Sequence, residues 1–426
     1  MTTPPEGALA PERKGIDDLR IDEPRLLQTI DAMARIGPGR AGGCNRQALT
    51  DEDRAGRDQF VAWARAADCQ VAVDEVGNLF ARRAGLDPAA APVLAGSHLD
   101  TQATGGRYDG VYGVMAALEV VRTLQQQGIA TRRPIEIGVW TNEEGCRFAP
   151  AMLGSGVVSG VYTKEFAYAR TDKEGRRFGE ELERIGYKGM LPARARPYAA
   201  MFEAHIEQGP VLEHAGCTIG VVTGIQGAYW FDVTLEGVSC HAGPTPMELR
   251  RDPWRAAVAI IDGLYALARE FAPWARFTIG DMAVAPGARN TVPQRLVFPV
   301  DLRHPDAASL ALMVERFEDL VGRSAADHGI QAAIAQVWHM PATRFDADLI
   351  DLVQRSAAAL GYSHQHIVSG AGHDSLHTAQ FAPTTMIFVP CTAGLSHNEA
   401  EDAKAADLAA GANVLLHAVL EAANTP

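Results

Sequence analysis

The sequence predicts an α/β protein with two parts, a larger domain built on a mixed, largely parallel sheet and a smaller ferredoxin-like domain inserted into it. The first observation is that strand-like and helix-like segments alternate along most of the chain, which is typical of helices packed on a mainly parallel sheet. The second is a change in the middle, where the order becomes β-α-β-β-α-β, the ferredoxin-like pattern. A chain of 426 residues, 47% of them hydrophobic, is long enough to bury both cores.

The helices of the larger domain are predicted from their first residues and their apolar spacing. Residues 24–36 begin with a proline, which suits the first helical position. Residues 113–127 carry apolar side chains at 114, 118, 121 and 124, a helical spacing, and stop at Gly128. A third helix is predicted over residues 51–67. The predicted strands are residues 71–73, 78–82, 92–97, 135–140, 200–206 and 385–389.

The inserted domain is predicted from six segments in the middle of the chain. Its strands are residues 229–236, 276–284, 295–302 and 330–338, and its helices are residues 253–271 and 307–326. The chain therefore divides into a flexible, proline-rich lead, a discontinuous larger domain and the inserted domain. Their predicted bounds are residues 1–20 for the lead, 21–221 with 332–426 for the larger domain, and 222–331 for the inserted one.

Bulk composition argues against several classes of protein. No apolar run approaches the roughly 20 residues that a membrane-spanning helix needs, and the N-terminal segment does not resemble a signal peptide. The net charge of −13 argues against nucleic acid as the main partner. Six cysteines without a C-x-x-C pair fit neither a zinc finger nor a disulfide framework, and free thiols are typical of a reducing cytoplasm. We therefore expect a cytoplasmic protein without a nucleic-acid or membrane partner.

Imidazoles and carboxylates follow the carboxyl ends of four predicted strands. They are His98, Asp100 and Asp109 after strand 92–97, Glu143 and Glu144 after strand 135–140, His205 at the end of strand 200–206, and His397 after strand 385–389. Because ligands of open α/β sheets bind where such strand ends converge, we expect these side chains to meet in one crevice. Each alone would more often be a structural or surface residue, but their coincidence predicts a metal site.

The donor atoms indicate which ions this site would hold. Nitrogen and oxygen donors suit Zn²⁺, and also Mn²⁺, Co²⁺ or Ni²⁺. If two of these carboxylates and the three neutral imidazoles surround two divalent ions, the site keeps a net positive charge. Such a charge favours an anionic or polarised carbonyl substrate and an ionised bridging water. The stretch GGRYDGVYG lacks the G-x-x-x-x-G-K-S/T pattern of a phosphate loop, so its glycines are better explained as letting Asp109 approach the ions.

Five segments carry a resemblance to a known family. They are GSHLDTQATGGRYDGVYGVMAALEV, TNEEGCRFAPAMLGS, FEAHIEQGPVLE, SCHAGPTPMELRRDP and GLSHNEAED, and the similarity runs from about residue 24 to 420. The chain resembles the amidase, hydantoinase/carbamoylase family of dinuclear metallohydrolases. That family includes N-carbamoyl-L-amino acid hydrolases, microbial β-ureidopropionases and allantoate amidohydrolases. The resemblance implies a zinc-peptidase-like catalytic domain with an inserted ferredoxin-like lid.

The resemblance also implies roles for the residues at the strand ends. The metal ligands it implies are His98, Asp109, Glu144, His205 and His397, with Asp109 bridging two ions and Glu144 and His397 completing the second. It implies that the Asp100 carboxylate orients the His98 imidazole and that Glu143 is the general base. Related peptidases usually carry a carboxylate at the position of His205. An imidazole there favours the carbamoyl-amide branch over the peptidase and aminoacylase branch.

Further residues are implied to hold the substrate. His241 would donate to the oxyanion, and in dimers of the family this histidine is thought to reach the neighbouring subunit's site. Asn290 and Arg303 would bind the substrate's backbone and carboxylate, and Gln208 is positioned to hydrogen-bond a ureido group. Without the resemblance, His241 would more often be a turn residue, and Asn290 and Arg303 surface residues. The motif GAGHDS, with His373 and Asp374, also resembles the family, but no role follows for it.

The expected function is hydrolysis of the carbamoyl group of N-carbamoyl-L-amino acids or N-carbamoyl-β-alanine, which yields the amino acid, CO₂ and ammonia. The family further implies a small ureido substrate with a carboxylate, two divalent ions per subunit with Zn²⁺ foremost, and a homodimer formed through the lid. The nearest alternative is allantoate amidohydrolase. An aminoacylase or dipeptidase is a more distant alternative, and so is a non-catalytic binding protein on the same fold, which the retention of Glu143 and all the ligands argues against.

Overall fold

The computed structural model describes residues 18–425, which form two compact units. The larger unit comprises the described residues up to Thr223, Phe345–Ile367, and those from Gly372 onward. The smaller unit comprises Gly224–Arg344 and Val368–Ala371. The helices are α1 (Glu23–Ala34), α2 (Asp51–Ala66), α3 (Val111–Gln126), α4 (Leu153–Ser159), α5 (Lys164–Tyr168), α6 (Phe178–Arg184), α7 (Val211–Ala215), α8 (Pro253–Glu270), α9 (Ala307–Asp327), α10 (Ala347–Ala359), α11 (Ser375–Thr378) and α12 (Ala405–Asn424).

The strands are divided among two larger sheets and a two-stranded ribbon. They are β1 (Gln70–Val73), β2 (Leu79–Arg83), β3 (Val93–His98), β4 (Ile135–Trp140), β5 (Ala200–Ile206), β6 (Ile219–Ile225), β7 (Gly227–Glu236), β8 (Cys240–His241), β9 (Arg276–Thr278), β10 (Ala283–Ala285), β11 (Thr291–Val292), β12 (Arg295–His304), β13 (Gln331–Met340), β14 (Thr343–Arg344), β15 (His364–Ser369) and β16 (Thr384–Val389).

The sheet of the larger unit runs in the order β1-β2-β4-β3-β5-β16-β6. The central strands β4, β3, β5 and β16 are parallel to their neighbours, whereas β1, β2 and β6 pair antiparallel at the two sides. Every residue of the four central strands is buried, as expected for strands covered on both faces. The predicted mixed, largely parallel sheet is therefore confirmed.

Helix α12 is the most apolar helix packed against this sheet. By length and composition alone it could cross a membrane, although two-thirds of its apolar stretch is buried inside the structure. Its buried side chains join those of α3 and of the central strands in one hydrophobic core, so α12 is a core helix of the larger unit. The sequence patterns did not predict this helix.

The sheet of the smaller unit is antiparallel, in the order β10-β12-β7-β13, with β9 also paired to β12. Along β12 the residues alternate between buried and half-exposed, and the buried ones form a core with α8 and α9. The other face of β12 is half-exposed and carries Asp301 and Arg303. The order of elements is the predicted ferredoxin-like one.

Three predicted boundaries differ from the structure. The strand expected over residues 276–284 is two short strands, β9 and β10, both paired to β12. The inserted domain does not end at residue 331, because β13 pairs with β7 as far as Met340 and the smaller unit extends to Arg344. The predicted flexible lead falls mostly on residues outside those described, but Leu19, near its end, is buried in the core.

Candidate metal centre

The side chains predicted as metal ligands lie at one edge of the larger sheet. His98 is the last residue of β3, and His205 lies one residue before the end of β5. Glu144 follows β4, His397 follows β16, and Asp109 lies two residues before α3. Because β4, β3, β5 and β16 are adjacent and parallel, their carboxyl ends lie together.

One glycine allows Asp109 to approach the two buried imidazoles. Gly110 has a φ of 65°, in the left-handed region that favours glycine, and a side chain there would collide with the His98 ring. The Gly110 N–H also donates to Nε2 of His205 at 3.1 Å. The glycine-rich loop therefore works as the sequence suggested, as a close approach of backbone to the site.

The carboxylate of Asp109 separates two groups of donor atoms. Its Oδ1 lies 3.5 Å from Nε2 of His98 and 3.2 Å from Nε2 of His205. Its Oδ2 lies 3.5 Å from Nε2 of His397, which in turn lies 3.4 Å from Oε2 of Glu144. Each group of three residues has its donor atoms within 4.8 Å of one another, so each could hold a metal ion.

These separations fit the donors of a bound metal ion. Two ligand atoms about 2.1 Å from one tetrahedral ion are about 3.4 Å apart, which matches the observed range. In addition, Nδ1 of His98 contacts the main-chain oxygen of Asp100 and Nδ1 of His205 contacts that of Ile206, both at 2.9 Å. An imidazole that donates from Nδ1 keeps a lone pair on Nε2, the atom facing Asp109. The residues therefore fit divalent ions.

Glu143 lies beside this cluster. Its Oε2 is 3.5 Å from Nε2 of His98, and the side chain is buried. Burial raises the pKa of Glu143 well above its ordinary value, and the neighbouring carboxylates of Asp374 and Glu144 raise it further. A carboxyl group in this environment holds a proton more readily than an exposed glutamate does.

The prediction that the Asp100 carboxylate contacts and orients the His98 imidazole is wrong. Among the described residues, the His98 imidazole contacts the main-chain oxygen of Asp100 rather than its carboxylate. The carboxylate instead accepts hydrogen bonds from the main-chain N–H groups of Glu143, at 3.3 Å, and Glu144, at 3.2 Å. The physical reason is that a fully buried carboxylate needs hydrogen-bond donors, and the main-chain N–H groups of the turn after β4 supply them. Asp100 therefore anchors the Glu143–Glu144 turn.

A second buried carboxylate, which the sequence reasoning missed, anchors the Asp109 loop. Glu401 accepts from the main-chain N–H groups of Tyr108, at 2.9 Å, and Asp109, at 3.1 Å. Burial raises its pKa to about 7. The Ser396 hydroxyl lies 2.8 Å from Oδ2 of Asp109 and 2.9 Å from Glu401. The only signal in the sequence was the acidic run after His397.

Gln208, predicted to contact the ureido group, reaches the same carboxylate. Its Nε2 donates to Oδ2 of Asp109 at 2.8 Å. Its Oε1 is buried and has no partner among the described residues. The side chain therefore keeps one hydrogen-bonding atom unused at the edge of the cluster.

Behind His205 lies a further polar cluster. Glu203 is fully buried two residues earlier on β5, and its two carboxylate oxygens accept from the hydroxyls of Ser97, at 2.7 Å, and Ser375, at 2.5 Å. The His373 ring packs edge-on against that of His205, with centroids 4.6 Å apart. Glu203, His205 and His373 could also group around an ion, but both Glu203 oxygens already accept hydrogen bonds. A lone glutamate in the apolar strand AMFEAHI was the overlooked signal.

Helix α11 carries a buried histidine with a strongly lowered pKa. His377 is 5% exposed, and among the described residues neither ring nitrogen has a hydrogen-bond partner. Burial lowers its pKa from 6.5 to about 4. The folded protein therefore keeps the ring neutral where the unfolded chain binds a proton. This contribution to stability is complete above pH 6.5 and falls as the pH drops towards 4.

Replacing His377 with phenylalanine is expected to weaken the acid sensitivity of the fold. Between pH 7.5 and pH 5 the wild-type ring should cost about 2 kcal/mol of unfolding free energy. Phenylalanine keeps the ring volume and does not titrate. Urea unfolding of both proteins at the two pH values measures this, and an equal drop in both would contradict the expectation.

Two predicted substrate-binding residues lie together in the smaller unit. Strands β8 and β11 form a two-stranded ribbon in which His241 is paired with Thr291, and the Ala242 N–H donates to the main-chain oxygen of Asn290 at 2.9 Å. Nδ1 of His241 accepts from the Gly243 N–H at 3.1 Å, so the neutral ring carries its proton on Nε2. The ring can therefore donate a hydrogen bond. Arg303 lies separately on β12, where its guanidinium contacts Asp301 and the main-chain oxygen of Gly370.

Parallel strands that bring imidazoles and carboxylates to one edge of a mixed α/β sheet are typical of metal-dependent hydrolases. Comparison with known proteins agrees, because the model of Peptidase family M20/M25/M40 matches residues 94–421. The chain is 49% identical over 407 residues to the N-carbamoyl-L-amino-acid amidohydrolase of Rhizobium meliloti, covering 96% of this chain and 98% of the relative. It is 32% identical over 392 residues to the allantoate amidohydrolase of Bacillus subtilis, and this match covers 92% of this chain and 95% of the relative.

A solved structure matches along almost the whole chain. The amidase of the hydantoinase/carbamoylase family from Burkholderia multivorans shares 51% identity and superposes with a TM-score of 0.94, covering 96% of this chain and 99% of that one. The chain belongs to Peptidase family M20/M25/M40 and, within it, to the hydantoinase/carbamoylase amidases. The family and enzyme class predicted from the sequence are confirmed.

Proposed function

We propose that this protein hydrolyses the carbamoyl group of N-carbamoyl-L-amino acids. Water adds to the ureido carbonyl and the C–N bonds to that carbon break, which releases the free amino acid, CO₂ and ammonia. The observation that carries the proposal is the pair of donor groups that share Asp109, with the buried carboxylate of Glu143 beside them. The relative that is 49% identical over nearly its full length bears the corresponding name.

In this proposal two divalent ions, Zn²⁺ foremost, are held by the donor groups around Asp109. The residues that would hold them are His98, Asp109, Glu144, His205 and His397. Such ions lower the pKa of a bound water and polarise a carbonyl oxygen. Glu143 takes a proton from the water and returns it to the leaving nitrogen. Its burial suits this exchange, because burial raises the pKa of the carboxyl group and so makes it a stronger base than an exposed glutamate.

The remaining proposed roles concern substrate binding. His241 donates from Nε2 to the oxyanion, as its tautomer permits. Gln208 offers its unpartnered Oε1 to the ureido nitrogens. Asn290 binds the substrate backbone, and Arg303 binds the carboxylate.

Arg303 is expected to set the preference for substrates with a free carboxylate. Losing one charge-assisted contact costs about 1.5–3 kcal/mol, so Arg303→Ala should lower kcat/KM for an N-carbamoyl amino acid roughly 10- to 150-fold. For the corresponding amide, which lacks the charge, the change should be small. Measuring kcat/KM for both substrates with both enzymes tests this. Equal fractional losses would assign the reading of the carboxylate to another residue.

The proposed substrate is tested by ammonia release from three compounds in parallel. N-carbamoyl-L-methionine, N-carbamoyl-β-alanine and allantoate differ in their backbone but share the ureido group. Preference for allantoate would support the alternative function, for which the Bacillus subtilis relative at 32% identity is the argument. Turnover of a dipeptide or an N-acetyl amino acid instead would favour the more distant alternatives, which the imidazole of His205 disfavours.

We also propose that the protein is a homodimer formed through its smaller unit and is cytoplasmic. Helix α8 carries an exposed apolar stripe of Trp254, Val258 and Tyr265. Among the described residues, β13 is an edge strand of the smaller sheet, and such an edge can pair with a strand of a second copy. Six unpaired cysteines suit a reducing compartment. Light scattering at micromolar concentration should give twice the chain mass of 45.6 kDa, and a monomer alone would refute the dimer.

A further inference from the structure

Two charged side chains lie side by side on the half-exposed face of β12. Asp301 and Arg303 are two residues apart, so their side chains point to the same face of the strand. The neighbouring residues Val300 and Leu302 point to the other face, into the core. Each is half-buried, with side-chain exposures of 22% for Asp301 and 30% for Arg303. The pair is therefore accessible to a small molecule without being fully surrounded by solvent.

The carboxylate of Asp301 accepts hydrogen bonds from one edge of the Arg303 guanidinium. Nε of Arg303 lies 3.0 Å from both carboxylate oxygens, and Nη2 lies 2.7 Å from Oδ2. On the other side, Nη1 donates to the main-chain oxygen of Gly370 at 2.9 Å. Gly370 is itself held, because Nε2 of Gln226 donates to the same oxygen at 3.0 Å. The plane and direction of the guanidinium are thus fixed from two sides.

These contacts leave one part of the guanidinium available. A guanidinium has five N–H groups, and the contacts use one each on Nε, Nη1 and Nη2. One N–H on each Nη atom has no acceptor among the described residues. Two N–H groups on adjacent nitrogens are the arrangement that binds a carboxylate bidentately.

We propose that Asp301 is a positioning residue for the substrate carboxylate, holding Arg303 so that the free N–H groups of Nη1 and Nη2 receive it. The proposal rests on the proposed function and deepens it. An unrestrained arginine loses side-chain freedom when it binds an anion, whereas one held by Asp301 and Gly370 has already lost it. Asp301 therefore contributes to selectivity for acids without touching the substrate.

If Asp301 competed with the substrate carboxylate for Arg303, Asp301→Ala would raise the activity on acids and not lower it. If Asp301 occupied the site that the substrate carboxylate needs, removing it would free the arginine and improve binding of acids. The geometry favours positioning, because Asp301 engages the Nε edge and, with Gly370, leaves one N–H on each Nη atom without an acceptor among the described residues.

The test is a double-mutant cycle on active, metal-loaded enzyme. We expect Asp301→Ala to lower kcat/KM for an N-carbamoyl-L-amino acid about 10-fold and for its amide less than about 2-fold. In an Arg303→Ala background the same change should have less than about a 2-fold effect on either substrate. Asp301→Asn, which keeps an acceptor oxygen, should recover part of the loss. Affinity of the Glu143→Gln variant for the same acid, with and without Asp301→Ala, separates binding from chemistry.

A matched control comes from the neighbouring strand. Asp232 on β7 lies opposite Pro299 of β12 and is exposed, so Asp232→Ala makes the same change of charge in the same sheet. It should leave the acid-to-amide ratio unchanged. A gain on acids in Asp301→Ala, or an equal loss in the Arg303→Ala background, would overturn the proposal. No turnover of any N-carbamoyl amino acid by the wild type would instead refute the proposed function, and the proposal with it.

Discussion

Glu143→Gln is expected to lower kcat by about 10²- to 10⁴-fold, the range for loss of a general acid–base group, while both metal ions stay bound. Glutamine keeps the size of the buried side chain but cannot take a proton from water. The turn that carries it should persist, because Asp100 holds that turn through main-chain N–H groups, which the substitution does not alter. Kinetics with metal analysis of the same sample measure both parts of the expectation.

The adjacent glutamate provides the matched control. Glu144→Gln makes the same chemical change one residue later, on the side chain that faces Nε2 of His397. Here we expect metal content to fall, because a carboxamide is a poorer ligand than a carboxylate. If Glu143→Gln lost as much metal as Glu144→Gln, the roles of base and ligand would be wrongly divided between them.

Removal of divalent ions should abolish turnover, and Zn²⁺, Mn²⁺, Co²⁺ or Ni²⁺ should restore it. Without ions, the buried carboxylates of Asp109, Glu143 and Glu144 face one another with too little positive charge. Burial and this mutual repulsion together raise the pKa values of Glu143 and Glu144 well above the ordinary value. Returning an ion supplies the missing charge, so the melting temperature should rise together with activity.

The ions themselves supply the control for this experiment. Ca²⁺ prefers six to eight oxygen ligands and should not replace ions whose expected ligands include imidazole nitrogens. Chelator-treated protein is assayed after each ion is added, with metal content measured in parallel. Full activity in protein shown to be free of metal would contradict both the expected ligands and the mechanism.

Much of the site could be predicted because it breaks the pattern of the strands that carry it. His98 and His205 stand at the ends of apolar strands that are buried throughout, where a polar side chain needs a specific reason. The parallel order of those strands then brings the side chains together. The pairing of Asp301 with Arg303 was equally accessible, since period-two spacing alone places both on one face of β12.

Other features depended on local geometry that no pattern specifies. The partner of the Asp100 carboxylate was missed because it depends on how the turn after β4 directs its N–H groups. The end of the smaller unit was placed too early although a strand was predicted at residues 330–338, because the sequence does not show that this strand pairs with β7. Pairing between strands far apart in sequence decided this boundary.

The double hydrogen bond to Asp100 has a consequence for how such an enzyme evolves. Glu143 and Glu144 follow one another in the chain and share a single anchor, so neither can shift without moving the other. If Glu143 and Glu144 have the proposed roles, a substitution of Asp100 would change metal affinity and proton transfer together, and a compensating change at one glutamate would disturb its neighbour. Lineages adapting to new substrates are therefore expected to vary the residues of the smaller unit and to leave this trio intact.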